Sequence, residues 1–269
     1  MKLSCLPVCF YGAIVREKSM TWEDWLDIAV DYGLEGTEIY GAHFDDSDAT
    51  DLMKLSDMIH KKGLQVTMFT TENDFSRPDK KEQAIVQVQK AVDAALLFKA
   101  DIVRVTASSP YGPFKADRKW IDEADRDEVV QSCADGLKAC LDYAAEKQVT
   151  LALEDHPLIG WNIDEFMKIL DLVGDERLKV NLDTSNIDPT TIVDLARRVA
   201  DRVVHLHVKD IKEGNNRIVF GTGEVDFVGI FKELKNVGYD GWLSLETMSG
   251  GKEELKIAIE HITNAWNKA

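Results

Sequence analysis

Residues 149–210 read VTLALEDHPLIGWNIDEFMKILDLVGDERLKVNLDTSNIDPTTIVDLARRVADRVVHLHVKD. Three short runs rich in Val, Leu and Thr stand at Val149 to Glu154, Lys179 to Asp183 and Val203 to Val208. Between them lie longer stretches in which apolar residues recur every three or four positions. The short runs carry the strand pattern and the long ones the pattern of an amphipathic helix. Strand, helix, strand, helix, strand is the repeat of a parallel sheet covered by helices.

The same alternation extends in both directions. Five further strands are expected at Leu3 to Phe10, Gly36 to Tyr40, Gln65 to Thr70, Ile102 to Thr106 and Trp242 to Glu246. Helices are expected at Thr21 to Tyr32, Asp51 to Lys62, Lys80 to Phe98, Arg126 to Glu146, Ile163 to Leu172 and Glu253 to Trp266, with Pro189 opening another over Thr190 to Val199. Eight strands, each followed by a helix, close into a (β/α)8 TIM barrel more naturally than they form an open sheet. A chain of 269 residues suits one such barrel, and no linker rich in Gly, Pro or Ser divides it, so residues 1–269 are expected to form one domain.

The formal charge of −16 repels polyanions and excludes a nucleic-acid surface. No apolar run reaches the roughly 20 residues a membrane span needs, and residues 1–15 lack the pattern of a secretion signal. A cytoplasmic protein with no membrane or nucleic-acid partner is expected, and a homo-oligomer stays open. The four cysteines, Cys5, Cys9, Cys133 and Cys140, fall on one expected strand and one expected helix, with none in a CxxC pair. Reduced, buried thiols are the expectation. No dinucleotide fingerprint or Walker loop is present.

In a TIM barrel the chemistry lies where strands end, so a charged residue closing an apolar strand marks the place to look. The last four expected strands all qualify: LALEDHP ends on Glu154, VNLD on Asp183, VVHLHVKD carries His207 and Lys209, and WLSLE ends on Glu246. Three carboxylates and one imidazole form an oxygen-rich set for a single divalent ion. Mn2+ is the first expectation, with Mg2+, Co2+ and Zn2+ as alternatives. Side chains two apart on a strand share a face, so His205 is expected one layer below His207.

These residues sit in motifs that resemble the xylose-isomerase-like sugar isomerase and epimerase barrels, a group that includes ketose 3-epimerases, hydroxypyruvate isomerases and inosose dehydratases. The matching stretches are GLEGTEIY around Glu38, LEDHP around Glu154, NLDTSN from Asp183 to Asn186, HLHVKD around His207, and GTGEVDF leading to GYDGWLSLE. Taken together they are specific; singly, each is weak. The resemblance implies that Glu154, Asp183, His207 and Glu246 hold the metal. Glu154 and Glu246 would exchange a proton with a sugar or polyol-derived ketone through a metal-stabilised enediolate. A dehydratase acting on a keto-sugar or keto-polyol is the alternative, and a barrel serving only as a binding or accessory subunit is the second. Contacts to a small carbohydrate are expected from Glu38, His43, His156, Asn186 and Lys209. Plainer roles are open for three of them: a surface loop position for His43, an internal ion pair with a Lys for Glu38, and an ion pair between Lys209 and Asp210.

Ketose 3-epimerases place a His three residues after the metal Asp and an Arg six after the metal His, where this chain has Asn186 and Glu213. Those departures leave the substrate open. Related DNA-repair barrels use a larger His-rich set to bind three ions, whereas this chain has six His in all, three of them on the expected strands five to seven.

Overall fold

The computed structural model describes residues 1–44, 47–111, 115–248 and 250–269. Eight parallel strands, β1 (Lys2–Cys5), β2 (Gly36–Tyr40), β3 (Gln65–Thr70), β4 (Ile102–Val105), β5 (Thr150–Glu154), β6 (Lys179–Asp183), β7 (Val203–Val208) and β8 (Trp242–Leu245), pair in the order β1-β8-β7-β6-β5-β4-β3-β2. Between the ends of that order, the Glu35 N–H donates to the Leu3 carbonyl oxygen (2.9 Å) and the Thr37 hydroxyl to that of Cys5 (3.3 Å). The ring is nearly closed, and the fold is the (β/α)8 barrel that the alternation predicts.

The helices that return the chain from one strand to the next are α1 (Trp22–Asp31), α2 (Ala49–Lys61), α3 (Lys81–Leu97), α4 (Arg126–Glu146), α5 (Ile163–Val173), α6 (Ile192–Val199) and α7 (Phe227–Asn236), and α8 (Gly251–Lys268) follows the last strand. Local chemistry fixes their ends. Thr21 and Asp24 form a reciprocal capping box on α1, and Asp125 accepts the N–H groups of Asp127 and Glu128 to start α4. Gly174, at φ 61°, ends α5 in the left-handed conformation that costs glycine little. The apolar faces of these helices and the outward faces of the strands share one buried core that includes Trp25, Phe98, Leu137, Phe166 and Phe231.

Two expected boundaries move, and one helix, α7, is not among those expected. The first strand stops at Cys5 instead of running to Phe10, because Pro7 has no N–H for a central ladder; the chain turns into a short helix at Val8–Tyr11. Cys9 is therefore helical. Pro189 does not open α6: it lies in a turn held by Asp188, which accepts from the Thr190 N–H (2.8 Å), and the helix starts at Ile192. The helix α7 follows Asp226, whose side chain accepts from the Gly229 N–H (2.9 Å). All four cysteines are free; three are buried and Cys9 is half-buried. Among the described residues, no helix is long and apolar enough to cross a membrane.

Candidate metal and sugar site

Strand register sets the site in tiers. Asp183 on β6 pairs with His207 on β7, and one step lower Asn181 pairs with His205. With inward side chains at alternate positions, Asp183 and His207 share the upper tier and Asn181 and His205 the lower. Glu154 closes β5 and Glu246 follows β8 directly. One ligand atom from each of Glu154, Asp183, His207 and Glu246 lies within 4.8 Å of the other three.

The four are tied through His207. Its Nδ1 lies 2.7 Å from Glu154 Oε1, 3.4 Å from Glu246 Oε2 and 3.9 Å from Asp183 Oδ2, while its Nε2 lies 3.0 Å from Glu38 Oε2. Burial alone would push this imidazole down, but the facing carboxylates, Glu38 and then Glu154, hold it well above its ordinary value. Lys209 Nζ reaches Asp183 Oδ2 at 2.7 Å and Glu246 Oε2 at 3.3 Å. The two strand-end glutamates are pushed apart. For Glu154 burial is outweighed by Arg104 and His207, and its carboxyl is held well below the usual range. Glu246 is raised by burial and by Asp183 and Glu154, against the pull of Lys209 and His207.

These groups open on a cavity of about 280 Å³. Glu154, His207, Lys209 and Glu246 line it, together with His156, Asn186, Glu72, Arg104, Tyr11, Tyr40, Tyr111 and Asn216, and with the apolar side chains of Leu6, Val8 and Met248. That volume is close to the lower end of ligand pockets, roughly 300 Å³, and fits a small molecule. A larger cavity of about 480 Å³ lies against α2 and α3, but among the described residues no carboxylate or imidazole lines it.

The expected contact residues divide. His156 and Asn186 line the cavity, and each has a buried nitrogen without a partner, His156 Nδ1 and Asn186 Nδ2. Lys209 also lines it, and its partners are Asp183 and Glu246; Asp210 instead accepts the N–H groups of Gly221 and Gly223, both at 2.9 Å. Glu38 is not on the wall. It is fully buried behind His207, and the carboxylate expected to meet substrate is engaged by that ring. His43 is likewise outside the lining, because the turn at Gly41–His43 packs its ring edge-on against Tyr11 and Tyr40, 4.3 and 4.9 Å between centroids. His205 is buried one tier below His207, where the alternation puts it. Glu213 is exposed and Trp161 faces a different depression.

The sequence reading passed over the wall at β3 and β4. Arg104 is buried inside the barrel, with Nη2 3.1 Å from Glu72 Oε1 and Nε 3.4 Å from Glu154 Oε2, and the Ser109 hydroxyl donates to Glu72. Its Nη1 has no hydrogen-bond partner. The signal was a charged residue within the apolar run Ile102–Val105, the same signal that marks the ends of β5 to β8.

Solved structures carry the same architecture, and curated relatives match part of the sequence. The L-ribulose-5-phosphate 3-epimerase UlaE of Salmonella paratyphi B is 34% identical over 121 residues, 43% of this chain. The match spans only 42% of that relative's length. The D-psicose 3-epimerase of Clostridium cellulolyticum H10, solved with D-tagatose, superimposes with a TM-score of 0.79 at 18% identity, over 99% of each chain. The probable 3-DHS dehydratase AsbF of Bacillus anthracis gives a TM-score of 0.76 at 21% identity, over 98% of this chain and 99% of its own. The family model described as xylose isomerase-like TIM barrel matches residues 26–265, and the chain belongs to that family.

Proposed function

We propose that the protein is a divalent-metal-dependent isomerase or epimerase of a small sugar or polyol-derived ketone, moving a proton at the carbon beside the carbonyl. The observation that carries this reading is the meeting of Glu154, Asp183, His207 and Glu246, of which Glu154, His207 and Glu246 line one cavity. The donor set fits a divalent ion of the Mn2+ class: three carboxylates and one imidazole, with the Lys209 ammonium 2.7 Å from Asp183 Oδ2. Bound there, the ion supplies Lewis acidity and a template for two neighbouring substrate oxygens.

The chain's own groups do the rest. Arg104 and His207 keep Glu154 ionised, so its carboxylate is the group ready to take a proton from carbon. Glu246, raised by burial, is suited to return one. The strands that carry them are three apart in an eight-strand ring, which lets the two carboxyls address different faces of a bound ligand. His156, Asn186, Arg104 and Tyr11 line the same cavity, each carries a buried polar atom without a partner, and their side chains suit the hydroxyl and carbonyl oxygens of a sugar. Leu6, Val8 and Met248 help exclude water.

The test is turnover of a panel of ketoses, keto-inositols and 3-keto sugars in D2O with Mn2+, followed by NMR. Deuterium at the reacting carbon with an inverted centre or a moved carbonyl supports the proposal. A new carbon–carbon double bond would make the enzyme a dehydratase, the reading kept open by Asn186 and Glu213. Glu246→Gln should slow turnover by about 10²-fold or more. Near-normal turnover with metal still bound would move the proton to another residue.

A further inference from the structure

Behind the cavity wall lies a second tier of buried polar groups, Glu38, Asn181, His205 and Thr67, none of which lines the cavity. From its geometry we infer that Glu38 is the positioning residue for His207: it holds the proton on Nε2, so that Nδ1 is the nitrogen presented to an ion. The inference rests on the metal reading above and adds to it a residue that touches neither ion nor substrate.

The two nitrogens of His207 face opposite ways. Nδ1 meets Glu154, Glu246 and Asp183, and Nε2 meets Glu38 Oε2 at 3.0 Å. A ring with its Nε2 lone pair toward that carboxylate would be repelled, so Nε2 carries a proton and donates it; a proton on Nδ1, facing Glu154 at 2.7 Å, is the one an ion would replace. Accepting that bond makes Nδ1 the more basic nitrogen and fixes the plane of the ring.

The neighbouring histidine leaves Glu38 free for this task. His205 Nδ1 lies 3.0 Å from Asn181 Oδ1, an acceptor, so Nδ1 is the protonated nitrogen of a neutral ring. Its Nε2 is then an acceptor, with the Thr67 hydroxyl 3.5 Å away, and it donates nothing to Glu38 Oε1 at 3.4 Å. The charge on Glu38 is thereby directed to His207. Glu38, His205 and His207 also lie close enough together to resemble a second ion site. The hydrogen bonds engage His205 Nδ1 and His207 Nε2, however, and Glu38 and His205 do not reach the cavity, so the trio supports the first site.

The backbone is built for the same end. Two register shifts interrupt the described strand ladders: between Thr37 and Ile39, where Glu38 sits opposite an extra residue of β3, and between Val180 and Asn181, where β7 takes an extra residue just before His205. Bulges of this kind re-aim side chains beside functional sites. Both fall at the tier that holds His207 from behind.

The experiment uses the full chain and Mn2+ alone as probe. Calorimetric titration of metal-stripped wild type, Glu38→Gln and Glu38→Leu should give Mn2+ affinities falling in that order, with a loss of about 10- to 100-fold, the range typical of removing a partner behind a ligating His. Gln keeps an acceptor without charge and Leu removes both, so the order separates the two contributions. Melting in EDTA checks that each variant folds. If the Leu variant does not fold, the Gln variant and the wild-type spectrum decide. In 15N-labelled wild type loaded with diamagnetic Zn2+, His207 should show a proton on Nε2 and none on Nδ1, a signature that a merely structural Glu38 would not set. Full affinity in folded Glu38 variants, or an ion on Nε2, overturns this inference while the four-ligand centre stands. A wild type that takes up neither Mn2+ nor Zn2+ overturns both.

Discussion

Replacing Lys209 by Met removes an ammonium that lies 2.7 Å from Asp183 Oδ2 and 3.3 Å from Glu246 Oε2, while keeping a side chain of similar length. Burial would lower the Lys209 pKa, but Asp183 and then Glu246 raise it above its ordinary value, so the group removed is a cation. At an effective dielectric constant of about 20, charges at those separations attract by roughly 6 and roughly 5 kcal/mol before desolvation is counted. Desolvation offsets much of this, and taking one partner from a buried ion pair costs about 3–5 kcal/mol net. An unfolding entropy of about 2.1 cal/mol/K per residue amounts to about 0.56 kcal/mol/K for this chain, so Tm in EDTA should fall by about 5–9 °C. In excess Mn2+ the gap between variant and wild type should narrow, because a divalent ion at the four ligands neutralises the carboxylates that Lys209 serves. Differential scanning calorimetry under the two conditions reads both numbers. An unchanged Tm in EDTA, or a gap as wide in Mn2+ as in EDTA, would refute the reasoning.

Adding Mn2+ to metal-stripped wild type at about 100 times its Kd should stabilise the fold by about 2.7 kcal/mol, a rise of about 5 °C in Tm by the same entropy. No shift at any concentration would remove the metal centre from the account. Burial pushes the thiols of Cys5 and Cys133 well above the ordinary range and that of Cys140 up to about 12. These groups keep their protons in the folded state while an unfolded chain releases them near pH 8.5, so their contribution to stability is complete below that pH and is lost as pH rises from there toward 12. At pH 8 a thiol reagent should therefore leave all three unmodified until denaturant is added, and rapid labelling of native protein would contradict their burial.

Much of the fold was legible because it is written in periodicity. Short apolar runs and the longer amphipathic stretches between them locate eight strands and most of their helices, and a charged residue closing each of β5 to β8 marks the mouth of the barrel. The same rule applied to Ile102–Val105 would have found Arg104, a charge inside an apolar strand. Pro7 was also readable as the end of β1, since a proline cannot continue a central ladder.

What the sequence left undecided is height and company. Alternation states which face of a strand a side chain takes, but not how far up the barrel it stands. That depends on register, and at β3 and β7 register depends on bulges that no motif announces. Glu38 thus reads as a mouth residue and stands behind His207, and Lys209, which reads as a substrate contact or as the partner of Asp210, joins Asp183 and Glu246. Tyr11, Glu72 and Tyr111 come from outside the strands, where no period exists to place them, and they reach the cavity because chain closure folds those segments over it. The sequence by itself determined the (β/α)8 alternation and the chemistry of four strand ends. Only the tertiary structure decided which nitrogen of His207 faces those carboxylates, because that choice rests on a carboxylate from β2 lodged behind a ring on β7, 169 positions away in the chain.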